Sequence, residues 1–158
     1  MTIEDFAIWL SETRLSIALT DSELAFPAIE SLHVIAITLV FGSIAVVDLR
    51  LLGLASKRRD ASELIASILP ITWVAFGLAV VTGALLFVAN PISYSTNFYF
   101  LGKLVLLALA GINMVLFHIF SHRHLATQGA LAPRLSGAAS LTLWITVVVF
   151  GRWIGFTL

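Results

Sequence analysis

The sequence predicts an all-α fold, a bundle of four transmembrane helices preceded by an amphipathic segment lying at the membrane interface. Three observations carry that prediction. The chain of 158 residues is 59% hydrophobic and only 11% charged, a balance too apolar for a soluble domain. Four apolar stretches each reach the roughly 20 residues needed to cross a hydrocarbon core. The separators "SKRRDAS", "NPISYSTN" and "SHRHLATQGALAPR" are polar or marked by Pro and Gly, and short enough to join antiparallel neighbours. With no internal repeat in view, residues 1–158 read as a single membrane domain.

Composition excludes several function classes. Acidic and basic residues balance to a formal net charge of zero, so no basic field points to nucleic acid. The absence of cysteine removes disulfides, thiolate metal sites, thioether-attached haem and cysteine nucleophiles. There is no Walker-type Gly-rich loop, no H-E-x-x-H and no G-x-S-x-G. The start, "MTIEDFAIWLSETRL", lacks a basic stretch followed by a continuous apolar run, which argues against a cleaved signal peptide.

Residues 1–25 mix Ile3, Phe6, Trp9, Leu10, Leu15, Ile17 and Leu19 with Glu4, Asp5, Glu12, Arg14, Asp21 and Glu23. That pattern predicts an interfacial amphipathic helix, broken near Ser11. The four spans are expected near residues 27–55, 64–89, 98–120 and 135–156. Lys57, Arg58 and Arg59 follow the first span, and His122, Arg123, His124 and Arg134 lie between the third and fourth. The second connection carries no basic residue. Positive-inside logic therefore places the first and third connections in the cytoplasm and both termini outside. His122 and His124 read as solvated interfacial residues belonging to that basic signal.

Ionisable residues within spans are costly and mark functional candidates. On a helical wheel Glu30, His33 and Asp48 share a sector of about 60° on the first span, and Lys103, Met114 and His118 share a similar one on the third. Asn113 lies beside the second of these stripes. Arg50 points away from the first, near the inner mouth, where a long side chain can snorkel to the interface. Each of two helices thus offers a polar stripe containing an imidazole. At about 1.5 Å per residue, His33 and Lys103 lie in the outer third of the membrane, as does Arg152 on the fourth span. His118 lies near the inner mouth, level with Asp48. The two histidines are about 20 Å apart along the membrane normal, too far to share one haem iron.

These groups admit several chemistries. A b-type haem can be held by neutral imidazole in a four-helix membrane bundle. In that reading His33 ligates an outer haem with Glu30 behind it. Lys103, Arg152 or Arg14 then meets the propionates, and His118, with Arg50 or the soft donor Met114 nearby, serves an inner site. Gly77, Gly83, Ala110 and Gly111 would let a flat macrocycle approach the backbone, or would serve ordinary close helix packing. Glu30-x-x-His33 also matches one element of a di-iron bundle, although such a site needs two such elements and two further carboxylates. Copper held by His33, His118, Met1 or Met114 is an alternative that no Met-rich relay accompanies. Proton conduction along the stripe is a third, though four spans without inverted repeats are few for a transporter. The structural alternative is a salt-bridge network, Glu30–Lys103 outside and Asp48–His118 inside, that only fixes helix register.

The stretches "FPAIESLHVIAITLVFGSIAVVDLRLLGL", "VTGALLF", "NFYFLGKLVLLALAGINMVLFH" and "GRWIGF" resemble a family of uncharacterised small bacterial inner-membrane proteins over nearly the whole chain. More loosely, the first-span His and the "TGALL" ahead of a Lys-bearing third span are similar to the membrane domains of copper-resistance D-type proteins and to four-helix b-type cytochromes. The cytochrome resemblance implies haem iron held by histidines on opposing helices at matching depths. This chain departs from that pattern, since its intramembrane histidines lie at different depths. A single-His haem, or a ligand from a neighbouring subunit, is the form consistent with it.

The expectation is a haem b-binding, electron-transfer-type protein of the bacterial inner membrane. His33 and His118 are its candidate ligands, Glu30 supports them, and Lys103, Arg152 and Arg50 are charge partners. Small size and abundant Gly and Ala faces suggest a homo-oligomer in the lipid bilayer, with a redox partner or quinone. A copper or other metal-binding protein using Glu30 and His33, and a non-catalytic scaffold or subunit, are the alternatives.

Overall fold

The structure, a computed structural model of the chain, describes residues 2–55, 61–117, 119 and 131–158. Regular structure among them is helical: α1 (Ile3–Ser11), α2 (Arg14–Asp21), α3 (Ala25–Leu51), α4 (Ala61–Ala89), α5 (Pro91–Thr96), α6 (Phe98–Leu116) and α7 (Leu131–Thr157). Four of these, α3, α4, α6 and α7, are long and apolar enough to cross a membrane. The chain is a multi-pass membrane protein.

The N-terminal segment forms two short helices, each started by a threonine. Thr2 opens α1 with a capping box: its hydroxyl accepts from the Asp5 amide at 3.1 Å, and its own amide donates to Asp5 Oδ2 at 2.7 Å. Thr13 caps α2, accepting from the Ser16 amide at 3.3 Å. The break expected near Ser11 therefore falls at Glu12–Thr13. Ala7, Ser16 and Leu19 are buried beneath the two helices, whereas Ile3, Phe6, Trp9, Leu15 and Ile17 are exposed. α1 rests on α4 and α5, and α2 on α3 and α4. Thr20 sets α2 against the end of α4, its hydroxyl 3.3 Å from the Ala89 carbonyl and 2.9 Å from the Ser16 carbonyl of its own helix. The segment thus keeps an outward apolar face suited to a membrane interface.

Span boundaries follow local chemistry. α3 stops at Leu51, four residues short of the expected end, because Gly53 takes a left-handed φ of 77°. The Leu54 amide then reaches the Leu49 carbonyl at 2.9 Å and the Gly53 amide reaches Arg50 at 3.0 Å, the Schellman closure that a glycine permits. α7 is helical already at Leu131, ahead of the expected Leu135. "NPISYSTN", expected as a turn, contains the short helix α5 with Pro91 at its first position. α6 ends at Leu116, and residues 118 and 120 of the expected third span lie outside the described residues.

The bundle runs α4–α3–α7–α6. α3 packs most extensively on α4, α6 packs on α7, and α3 against α7 joins the two hairpins. Among the described residues α4 and α6 do not pack along their lengths. They meet at one end only, where the Phe87 and Phe100 rings stack with centroids 5.5 Å apart and Tyr94 of α5 lies 5.2 Å from Phe100. Small core residues, Ala36, Val40, Ala75, Ala110 and Val147, allow close helix approach. Neutral hydrogen bonds tie the helices. Thr72 donates to Ser43 at 2.8 Å between α4 and α3, and Asn97 donates to Thr157 Oγ1 at 2.9 Å between the ends of α6 and α7. Such bonds average about 0.6 kcal/mol each in membrane proteins, so they specify register more than they supply stability.

Candidate functional site

Two polar levels lie within the bundle, about 22 Å apart by the rise between His33 and Asp48 on α3. Near the α5 end, His33 crosses to α4 and places Nδ1 2.8 Å from the Thr82 hydroxyl. Thr82, almost fully buried, spends its own proton on the Leu78 carbonyl at 2.7 Å. A hydroxyl has one proton to give, so toward His33 it accepts. The Ala79 carbonyl, 3.3 Å from the same hydroxyl, is a second acceptor for the ring. Thr82 thus holds the ring at Nδ1, and the Leu78 and Ala79 carbonyls, as acceptors on either side, are consistent with an Nδ1–H tautomer.

Gly83 provides the seat for this ring. A Cβ at position 83 would lie 3.0 Å from His33 Cε1, so no larger residue leaves the imidazole where it is. The glycine expected to admit a macrocycle admits the histidine itself. At Gly77 and Gly111 a Cβ would meet nothing within 4 Å. Lys103 of α6 interacts electrostatically with His33 and lies half-buried against α7. A Cβ at Gly151 would sit 3.3 Å from its Nζ.

Glu30 does not stand behind His33. It is exposed on α3 and close enough to act on Tyr94, whose phenol is pushed above its ordinary range by burial and then by that carboxylate. The partner of the imidazole is Thr82 instead. Arg152 is exposed and stacks its guanidinium 4.7 Å over the Phe156 ring one turn on, turned outward with that exposed phenylalanine. Arg14 is exposed at the start of α2.

At the opposite level Asp48 is 4% exposed. One carboxyl oxygen is hydrogen-bonded to Ser140 of α7, and Oδ2 has no partner among the described residues. Gly137 brings α7 hard against α3 here: a Cβ would lie 3.1 Å from both the Asp48 carbonyl oxygen and Leu51 Cβ. Asn113 and Ser136 join α6 to α7 beside it through bonds of 3.2 and 3.3 Å. Arg50 is half-buried in the last turn of α3, and Met114 lies on an exposed face of α6. His118, Met1, Lys57, Arg58, Arg59, His122, Arg123 and His124 lie outside the described residues, as does the expected Asp48–His118 pair. No group of three or more His, Asp or Glu able to hold a metal ion occurs among the described residues.

Residues 17–157 match a family of unknown function, DUF6644. The chain belongs to that family. No curated protein and no solved structure matches it. Membership in DUF6644 covers every spanning helix, and with it both polar levels.

Sequence reasoning passed over Thr82, Ser140 and Ser136. The signal for Thr82 was present: a Thr-Gly pair on the second span, at the depth of His33 on the antiparallel first span, is a hydroxyl beside a space.

Proposed function

We propose that this DUF6644 chain is a haem b-binding membrane protein of electron-transfer type, with His33 as axial ligand. The observation that carries the reading is the hydrogen bond to Thr82 that orients the imidazole of His33. A ligating imidazole needs a free nitrogen and is oriented by a hydrogen bond at the other one. His33 has that bond, in a membrane interior where a histidine without a task is costly. Haem bound there would supply one-electron chemistry at iron. The chain's own part is to hold the ring through Thr82 and Gly83 and to keep water from it. A copper site using Glu30 and His33 is less well supported, since Glu30 is exposed and no third ligand stands near among the described residues. In this reading the chain is a homo-oligomer of the bacterial inner membrane serving a redox partner or quinone, with its basic connections inside and both termini outside.

A scaffold is the second reading, favoured by Ser43–Thr72 and Asn113–Ser136, which tie helices and offer nothing to a ligand. One measurement separates the two. Detergent-purified protein is expected to show a Soret band that shifts on reduction and disappears in His33→Ala. Lack of that band, with stoichiometric copper or iron, transfers the site to a non-haem metal. Neither cofactor, with only lowered thermal stability in the variant, leaves the scaffold.

A further inference from the structure

Lys103 carries a charge into the bundle at the level of His33, and no carboxylate among the described residues is placed against it. Glu30 is exposed and acts on Tyr94, and Asp48 is fifteen positions along α3 from His33. The ammonium lies in a groove that Gly151 leaves open, 3.3 Å from where a Cβ would be. An ammonium held inside a span calls for an anion, and the neutral imidazole beside it supplies none.

The surroundings say what kind of molecule brings that anion. Phe87 lies one turn beyond Gly83 on α4, and Phe100 lies about one turn before Lys103 on α6. Their stacked rings, with Tyr94, close the bundle over the His33–Lys103 level at the α5 end. Below those rings α4 and α6 do not pack on each other among the described residues, and Val80, Val81, Leu104 and Val105 on these helices are exposed. The rings close the level toward the α5 end, and α4 and α6 stand apart beside it among the described residues. A ligand with a broad apolar body and an acid edge matches such a place.

Resting on the haem reading, we infer that the macrocycle lies in the seam between α4 and α6, reached from the bilayer, with one propionate on Lys103. Lys103 is a positioning residue that fixes the orientation of the ring about the His33 bond.

The test compares haem b with its dimethyl ester, whose propionates carry no charge. Haem-free full-length protein in phosphatidylcholine vesicles is titrated with each form and followed at the Soret band. Wild type is expected to bind the free acid about tenfold more tightly, the scale of one charge-assisted hydrogen bond. Lys103→Gln should weaken binding of the acid alone and bring the two forms together, and Lys103→Arg should restore the preference. Gly151→Ala, which keeps the charge and crowds Nζ, should narrow the preference if Lys103→Gln does not fold. Equal binding of acid and ester by wild type, or a preference that survives Lys103→Gln, overturns the inference and leaves the haem reading standing. No band with either form in wild type removes the haem reading, and this inference with it.

Discussion

At the level of Asp48, α3 and α7 are pressed together across Gly137, where a Cβ would lie 3.1 Å from the α3 backbone. At the level of His33, α3 and α4 also touch through a glycine, but what fills its space is a side chain. Gly137 meets the backbone oxygen of Asp48 and Leu51 Cβ, whereas Gly83 meets the movable imidazole ring of His33. Both levels use a hydroxyl from the neighbouring helix, Ser140 in one and Thr82 in the other. The difference lies in what is left over. The Asp48 level leaves an oxygen facing packed protein, while the His33 level leaves a ring nitrogen and, close by, an ammonium. One arrangement joins helices through close backbone contact, and the other joins them through a side chain seated on a glycine.

The comparison is broken most forcefully at Gly137. A valine there must displace backbone, not a side chain end, and overpacking of this kind costs typically about 1–3 kcal/mol. Gly137→Val is expected to lower the midpoint of thermal unfolding in detergent by several degrees. The Soret band of whatever protein remains folded should keep its position. Unchanged stability would show that α3 and α7 are not held by this contact, and a shifted band would show that the two levels are coupled.

Thr82→Val sharpens the other half. The shape is kept and the acceptor for Nδ1–H is lost, so the ring is free to turn or to change tautomer. Outer partners of ligating histidines are worth about 10–100-fold in affinity. Haem affinity should therefore fall at least about tenfold, with a much smaller change in thermal stability. If affinity holds while stability falls, Thr82 belongs with the helix ties, and the contrast between the levels disappears.

How much of this was legible in the sequence depends on which force decides. Hydropathy over windows of twenty residues is an average, and it found all four spanning helices. Helix ends depend on single residues, and Gly53 moved the end of α3 by its φ alone. Wheel geometry placed His33 and Lys103 at one depth because the rise per residue is fixed. It could not tell that Glu30, on the same sector as His33, would be exposed and would act on Tyr94. Partners across helices depend on which pairs of helices adjoin. Here α3 lies between α4 and α7, so His33 met Thr82 and Asp48 met Ser140, neutral hydroxyls that a search for charges does not single out.

The smallest effect lies outside the membrane, and its value is that it should leave both levels alone. Asp5 is fully exposed at the start of α1, and its carboxyl is held below the ordinary range by hydrogen bonds from the Thr2 backbone and side chain. A carboxylate lowered in the folded state stabilises α1 fully above the unfolded value near 3.8, and that support is lost as pH falls through the lower, folded value. Protection of the α1 amides from exchange, relative to the intrinsic rate at each pH, should therefore hold down to about pH 4 and fall below it, with Asp5→Asn removing that fall. The Thr82 and Gly137 variants should leave this local transition unmoved. A titration of α1 that follows either variant would mean that the surface helices rest on the bundle tightly enough to report its packing, and that α1 and α2 are part of the site's enclosure.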